Sequence, residues 1–255
     1  MLGARSRVAT LGLVVWASLV DTRTVFQKLP LLVVIAFLIN VAIESIKVFF
    51  VEDDSGGKVF REGLDALRLF LMIPCEIAFY RLILLGEISS HYSFAIRTAR
   101  FCRFLLWTAA MWLAALVALH GFTLIPETSG VCIKCISGVL LLVAYIFVFP
   151  RLVLVFPAIA VDAPDANAAT AWALSKGHFW FVFRSLLIAH LPMIAGFFVA
   201  EMLAEVESSA AMPITLKIGG AFMNGALEAI TVVAVVVVVA RAYAWLGAPD
   251  PHPGS

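Results

Sequence analysis

The chain has 255 residues, of which 63% are hydrophobic and only 14% are charged. Soluble domains contain about 25% charged residues, so this composition excludes an ordinary soluble globule and indicates lipid as the main solvent. The formal net charge is +1 and no long basic run occurs. This excludes a nucleic-acid partner, since contacts to phosphate backbones need clustered Lys and Arg. We expect membrane lipids as partners, and a membrane-protein partner or a homo-oligomer is also open.

The first apolar run, residues 8–20, follows Arg5 and Arg7, which is the layout of a signal peptide. No small-x-small cleavage site follows it, however, and the chain leads directly into a longer apolar stretch. A run this short is typical of a helix at the membrane interface, so we predict an amphipathic elbow helix. Aromatic-bearing stretches at residues 92–104 and 172–183 suggest two further elbows, although aromatic residues recur near any span.

The rest of the chain predicts six transmembrane helices, because about 20 apolar residues cross a bilayer at about 1.5 Å per residue. The predicted spans are residues 29–50, 67–85, 104–125, 131–155, 179–203 and 221–246. The second is diluted by two arginines, a proline and a glutamate, so a partly interfacial position stays open for it. Pro150 should kink the fourth span near its end.

The predicted fold class is therefore all-α, a polytopic membrane bundle of about six transmembrane helices with amphipathic interfacial elbow helices. Residues 1–247 are expected to form a single integral membrane domain. The tail, residues 248–255, contains three prolines, which cannot continue a helix, and is predicted to be disordered.

Positive charges in short loops indicate the cytoplasmic side of a membrane protein. With the N-terminus inside, the acidic turn at residues 52–54 falls outside, and Lys58, Arg61 and Lys217 are exceptions to the rule. The inner side receives Arg5, Arg7, Arg23, Lys28, Arg97, Arg100, Arg103, Arg151, Lys176 and Arg241. We predict that both termini are cytoplasmic.

Ionisable side chains within a span are costly, so each is a candidate functional position. Glu76, His190 and Glu228 lie far from the predicted span ends. Glu44 does as well, but Lys47 lies on the same helical face three residues later, which favours a structural pair at the interface.

Structural roles are also open for the three candidates. Glu76 could pair with Arg68 or Arg81. His190, two residues before Pro192, could bond to a carbonyl that the proline leaves without a donor. The carboxylate of the last span follows an asparagine and a glycine, which is typical of a close helix contact.

The spacing of Cys132 and Cys135 matches a C-x-x-C redox or metal motif, but no second pair completes a zinc site. The sequence also lacks a P-loop and the common dinucleotide, hydrolase and metalloprotease motifs. We therefore expect no enzyme activity, no catalytic residue, no metal and no cofactor.

Two segments carry a family resemblance. Their residues are Arg81, Leu84, Leu85, Gly86 and Glu87 in one, and Arg151, Leu152, Phe156, Pro157, Ala158, Ala160, Asp162, Ala173, Leu174, Ser175, Lys176 and Gly177 in the other. They resemble uncharacterised bacterial multi-pass inner-membrane proteins related to the membrane domain of glycerophosphoryl diester phosphodiesterases. The resemblance implies a fold and a place in the bacterial inner (cytoplasmic) membrane, and it implies no activity.

Basic residues beside the resembling segment suggest contacts with anionic lipid headgroups. Arg151, Lys176 and Arg184 lie where lipid phosphates are expected. Asp162 and Asp165 are expected to cap the elbow helix that follows them.

Two functions follow as hypotheses. The first is a non-enzymatic envelope or lipid-associated structural or assembly component, and the alternative is a small transporter or channel that uses intramembrane carboxylates. Convergence of Glu76, His190 and Glu228 on one cavity would favour transport. Separate pairing at helix contacts would favour the structural role.

Overall fold

The computed structural model describes residues 11–50, 55–89, 91–120, 131–206 and 214–247. Within these ranges the regular structure is entirely helical and no strand occurs, so the all-α prediction is confirmed. The predicted tail lies outside the described residues. The helices of these ranges are α1 (Leu11–Lys28), α2 (Pro30–Phe50), α3 (Ser55–Leu85), α4 (Ala99–His120), α5 (Val131–Leu152), α6 (Val155–Ala160), α7 (Ala168–Ser175), α8 (Phe179–Val206) and α9 (Ile214–Trp245).

Five segments are long and apolar enough to cross a membrane, compared with the six predicted. They are Pro30–Phe50, Ala99–His120, Cys135–Ala160, Phe179–Gly196 and Ile218–Trp245. The third segment breaks between α5 and α6 just after Pro150, which confirms the predicted kink. The predicted second span, which forms part of α3, is not among these five segments, because its charged residues lower its mean hydropathy.

Nevertheless, α3 runs through the bundle antiparallel to α2. Lys47 Nζ of α2 lies 2.6 Å from Asp65 Oδ1 of α3, and Cys75 Sγ lies 3.7 Å from the Leu32 carbonyl oxygen. As residue numbers rise along α3, the numbers of the contacted residues fall along α2, which shows that the two helices are antiparallel. Because α3 also packs against α1, α4 and α9, its charged side chains meet other helices, which offsets the cost of placing them in an apolar medium.

The predicted first elbow is longer than expected and joins the next helix. Backbone hydrogen bonds continue across the junction, from Leu29 N to the Val25 carbonyl (2.9 Å) and from Val33 N to the Leu29 carbonyl (3.1 Å). Pro30 is tolerated at the junction because the first turn of a helix needs no amide donor from it. The α1 helix is tied to the end of α9 by an ion pair between Asp21 and Arg241.

The other two predicted elbows have different outcomes. Residues 92–98 are not helical, so the elbow prediction is wrong there. At the third predicted elbow, residues 172–183, the short helix α7 does form. Its N-cap is Asn167, whose side chain accepts a hydrogen bond from Thr170 N at 2.9 Å. The capping roles predicted for Asp162 and Asp165 are therefore wrong.

The α2 and α9 backbones approach each other closely at Gly225. A Cβ atom added there would lie 2.6 Å from Val41 Cα and 2.7 Å from Val41 N. The predicted close contact beside Glu228 is thus confirmed, and it exists because glycine has no side chain to separate the two backbones. The valine run 232–239 lies within α9, as predicted from the lack of any other backbone partner in lipid.

Gly225→Ala should destabilise the bundle because α2 and α9 must move apart to admit the methyl group. We expect the free energy of unfolding in detergent to fall by about 1–3 kcal/mol, the usual cost of overpacking. Gly220→Ala is the matched control, since nothing lies within 4 Å of its added Cβ. Equal losses in the two variants would show that the contact with Val41 does not stabilise the bundle.

Candidate functional site

A cavity of about 340 Å³ lies between the α2, α3 and α9 helices and the α4, α5 and α8 helices. It exists because neither α4 nor α5 packs extensively against α9. The three intramembrane residues predicted from the sequence all line it. Its polar lining consists of Asn40, Arg68, Glu76, Tyr80, Thr108, Tyr145, His190, Glu228 and Thr231.

Glu76 is half-buried on α3 and faces this cavity. Among the described residues, no hydrogen bond or ion pair reaches its carboxylate. Arg68 and Arg81, the partners expected from the sequence, contact Glu228 and Glu87 instead. The predicted ion pair of Glu76 is therefore wrong, and its carboxylate is available to a proton or a cation that enters the cavity.

One wall of the cavity is an ionic network that joins α2, α3 and α9. Arg68 contacts Glu228 closely, and it also lies 3.1 Å from Asp65 and 3.8 Å from Glu44. Lys47 lies 2.7 Å from Glu44 and 2.6 Å from Asp65. Glu44 and Lys47 thus form the predicted pair within a larger network. Three carboxylates face two cations, which leaves one negative charge in excess when all are ionised.

The unpaired carboxylate is distant from this network along α3. Glu76 follows Arg68 by eight residues, a rise of about 12 Å in a helix. Asn40 of α2 lines the cavity between these levels, opposite Met72. Its Nδ2 donates to the Ala36 carbonyl at 2.8 Å. Sequence reasoning missed Asn40, although an amide in the middle of an apolar span was a usable signal.

His190 contributes an imidazole to the cavity from α8. Its Nδ1 lies 2.8 Å from the Leu186 carbonyl oxygen. Because a carbonyl can only accept, this contact assigns the proton to Nδ1 and leaves Nε2 as an acceptor in the neutral ring. His190 thus bonds to a backbone carbonyl, but not to that of Ile188, whose oxygen Pro192 leaves without a donor. The predicted partner, a carbonyl freed by the proline, is therefore wrong.

The remaining lining of the cavity is apolar and rich in aromatic rings and thioethers. Aromatic rings attract cations, and methionine side chains adapt to ligands of irregular shape. These residues include Met72, Met111, Trp112, Phe149, Phe156 and Met193. A cavity of this size with a few convergent polar groups has the form of a small-molecule site.

Among the predicted lipid contacts, Lys176 and Arg184 are exposed. Arg151 differs, because it is half-buried between the rings of Phe147 and Trp172, at 4.3 and 4.4 Å from the two ring centroids. These three residues do not line the cavity described above.

The two resembling segments contact each other at one end of the bundle. Arg81 Nη1 donates to the Ala160 carbonyl at 2.9 Å and lies 3.5 Å from Asp162. Arg100 forms two hydrogen bonds with the Asp162 carboxylate. Arg103 Nη2 donates to the Ala166 carbonyl at 2.7 Å. Arginines of α3 and α4 therefore hold the turn between α6 and α7.

The electrostatics of this turn are concentrated on Asp162. Hydrogen bonds from Arg100, and the charges of Arg81 and Arg103 nearby, hold the pKa of Asp162 below its usual value of 3.8. The backbone of Asp162 is left-handed, with φ of 56°, a conformation that Asp tolerates better than most residues.

The described cysteines offer no support for a redox or metal centre. Cys135 is a free, exposed thiol, and the side chain of Cys132 lies outside the described residues. Within the described ranges, no group of three or more His, Cys, Asp or Glu side chains could hold a metal ion.

Arg68→Met should destabilise the protein strongly, because it leaves three carboxylates facing Lys47 alone. Removing one partner of a largely buried pair costs about 3 kcal/mol, measurable by unfolding in mixed micelles. Adding Glu228→Gln should recover part of that loss, since it removes the orphaned charge. Lys58→Met, an exposed cation on the same helix, is the control, and an equal loss there would contradict the network's role.

Asp162→Asn should weaken the dependence of folding stability on pH in the acid range. Because the folded-state pKa of Asp162 is lowered, its contribution is complete above its unfolded-state pKa and is lost as pH falls through the folded-state value. Wild-type stability should thus fall more steeply than that of the variant between about pH 5 and about pH 3. Asp165→Asn, in the same turn, should keep the wild-type slope.

Comparison with known proteins identifies no relative of this chain. No protein-family model, no curated protein and no solved structure matches the chain.

Proposed function

We propose that this protein is a membrane transporter for a small cation, with Glu76 as the residue that binds the cation or a proton. The observation that carries the proposal is the convergence of Glu76, His190 and Glu228 on one cavity from three different helices. A structural role predicts that these side chains pair separately at helix contacts. Glu228 does pair with Arg68, but it lines the same cavity as Glu76, which pairs with no residue in the described ranges.

The charge balance of the cavity favours a positive ligand. Arg68 is shared among Glu228, Asp65 and Glu44, so the network already carries excess negative charge before Glu76 is counted. In an apolar surrounding, an unpaired carboxylate gains more from a proton or cation than it does in water. The cavity therefore attracts cations and disfavours anions.

Arg68 supplies a physical means of coupling. A cation that approaches Glu228 competes with the Arg68 guanidinium for the same carboxylate. Asp65, 3.1 Å from Arg68, offers the displaced guanidinium a second partner on its own helix. Ligand binding at α9 can thus change the contact between α3 and α9 without leaving a buried charge unpaired.

The proposed location is the inner membrane of a bacterium with both termini in the cytoplasm. Its support is the clustering of arginines at one end of the bundle, where Arg81, Arg100 and Arg103 hold the α6–α7 turn. Short loops rich in arginine face the cytoplasm in most membrane proteins. We expect no enzyme activity to accompany transport.

A lipid-associated structural or assembly component of the envelope is the second candidate function. The observation that favours it is Arg151, which lies outside the cavity and has no ionic partner among the described residues. The resemblance to the phosphodiesterase membrane domain stays a prediction and is compatible with either function.

Glu76→Gln should strongly reduce cation movement while leaving the fold intact, because it removes the charge from a group that has no hydrogen bond or ion pair to a described residue. We would reconstitute the protein in liposomes and measure tetraethylammonium uptake and, with a trapped pH dye, proton influx under an imposed membrane potential. We expect a fall of about tenfold or more, as for the loss of an ionic contact.

Glu62→Gln is the matched control, since it removes an acid of the same helix that does not line the cavity. It should transport like the wild type. Wild-type liposomes with no flux of either cation above empty liposomes, or equal flux in the Glu76 and Glu62 variants, would contradict the proposed function.

A further inference from the structure

The Arg151 side chain at the end of α5 is held by aromatic rings. Its guanidinium carbon lies 4.3 Å from the centroid of Phe147, 4.4 Å from that of Trp172 and 5.5 Å from that of Phe179. These rings come from α5, α7 and the first turn of α8. Ring contacts of this kind stabilise a cation and restrict its side chain, and the planar guanidinium keeps its N–H donors at its edge.

No carboxylate neutralises this cation. The guanidinium has no hydrogen bond or ion pair to another described residue, and its Nε is buried without a partner. The helices that pack against α5 are α4, α7 and α8. The sequence has no Asp or Glu in residues 99–120, 128–161 or 166–200, and Asp162 is already held by Arg100.

The position of Arg151 matches the headgroup region of a bilayer. It lies two residues after Phe149 of the apolar α5 helix, and the neighbouring Trp172 and Trp180 are both exposed. Exposed tryptophans collect at the level of lipid headgroups. Lys176 is also exposed, between the two ring-bearing residues Trp172 and Phe179.

We propose that Arg151 and its aromatic cage, formed by Phe147, Trp172 and Phe179, bind the phosphate group of an anionic membrane lipid. The planar guanidinium suits two parallel N–H to oxygen hydrogen bonds to one phosphate. The phosphate supplies the negative charge that the surrounding helices lack. Lipid is the source we assign because the cage lies among exposed tryptophans.

The test is lipid retention and lipid-dependent stability of the detergent-purified protein. Phosphatidylglycerol, diacylglycerol with the same acyl chains, and inorganic phosphate are added separately, and bound lipid is counted by native mass spectrometry beside the unfolding temperature. We expect phosphatidylglycerol alone to be retained and to raise the unfolding temperature. Arg151→Gln should lower its affinity about tenfold, as for the loss of one ionic contact.

Two further variants serve as controls. Arg184→Gln removes an exposed arginine outside the cage and should retain phosphatidylglycerol like the wild type. Arg151→Lys keeps the charge but loses the planar fork, so we expect intermediate retention. If Arg151→Gln does not fold, the comparison of lipid retention is made between Arg151→Lys and the wild type.

Three outcomes would overturn the proposal. Equal retention in the wild type and the Arg151 variants would exclude the cage as the site. Equal retention of diacylglycerol would show that acyl chains and not phosphate are recognised. Stabilisation by inorganic phosphate as strong as that by phosphatidylglycerol would assign the phosphate to a soluble source and overturn the lipid assignment.

Discussion

The bundle depends on the ionic network in which Arg68 joins α3 to α2 and α9. Without it, α3 would carry unpaired charges in an apolar medium, where each costs several kcal/mol. With it, a helix too polar to count as a membrane span by hydropathy is held inside the bundle. Its interior position also brings Glu76 to face α4, α5 and α8, so the same network that stabilises α3 creates the polar side of the cavity.

The two proposed sites use opposite electrostatics in different parts of the bundle. In the cavity, carboxylates outnumber cations and Glu76 has no hydrogen bond or ion pair to a described residue, so a positive ligand is favoured. At the end of α5, Arg151 has aromatic neighbours and no carboxylate partner among the described residues, so a negative ligand is favoured. Within the described part of the chain, neither site is neutralised by the protein itself. That distinguishes both from the turn around Asp162, where arginines and the carboxylate satisfy one another.

The sequence was sufficient for features set by local composition and insufficient for those set by contact. The approximate positions of most helices, the break near Pro150 and the close approach at Gly225 follow from hydropathy, proline chemistry and side-chain size, and these were predicted. The Glu44–Lys47 pair within one helix was also predicted, but pairing between helices was not. Arg68 meets Glu228 and not Glu76, because the packing of α3 against α9 determines its partner. The same reason explains Asp162, which Arg100 reaches from a helix about 60 residues away in sequence.

The Gly225 contact also bears on which helices stay together. The α2 and α9 backbones are in direct contact at Val41, and α3 is bound to both by ion pairs, so these three helices are joined by packing and by charge. The α4 and α5 helices border the cavity, and of these three helices they pack chiefly against α3. Under the proposed function, we expect access to Glu76 to open by movement of α4 and α5 against α2, α3 and α9.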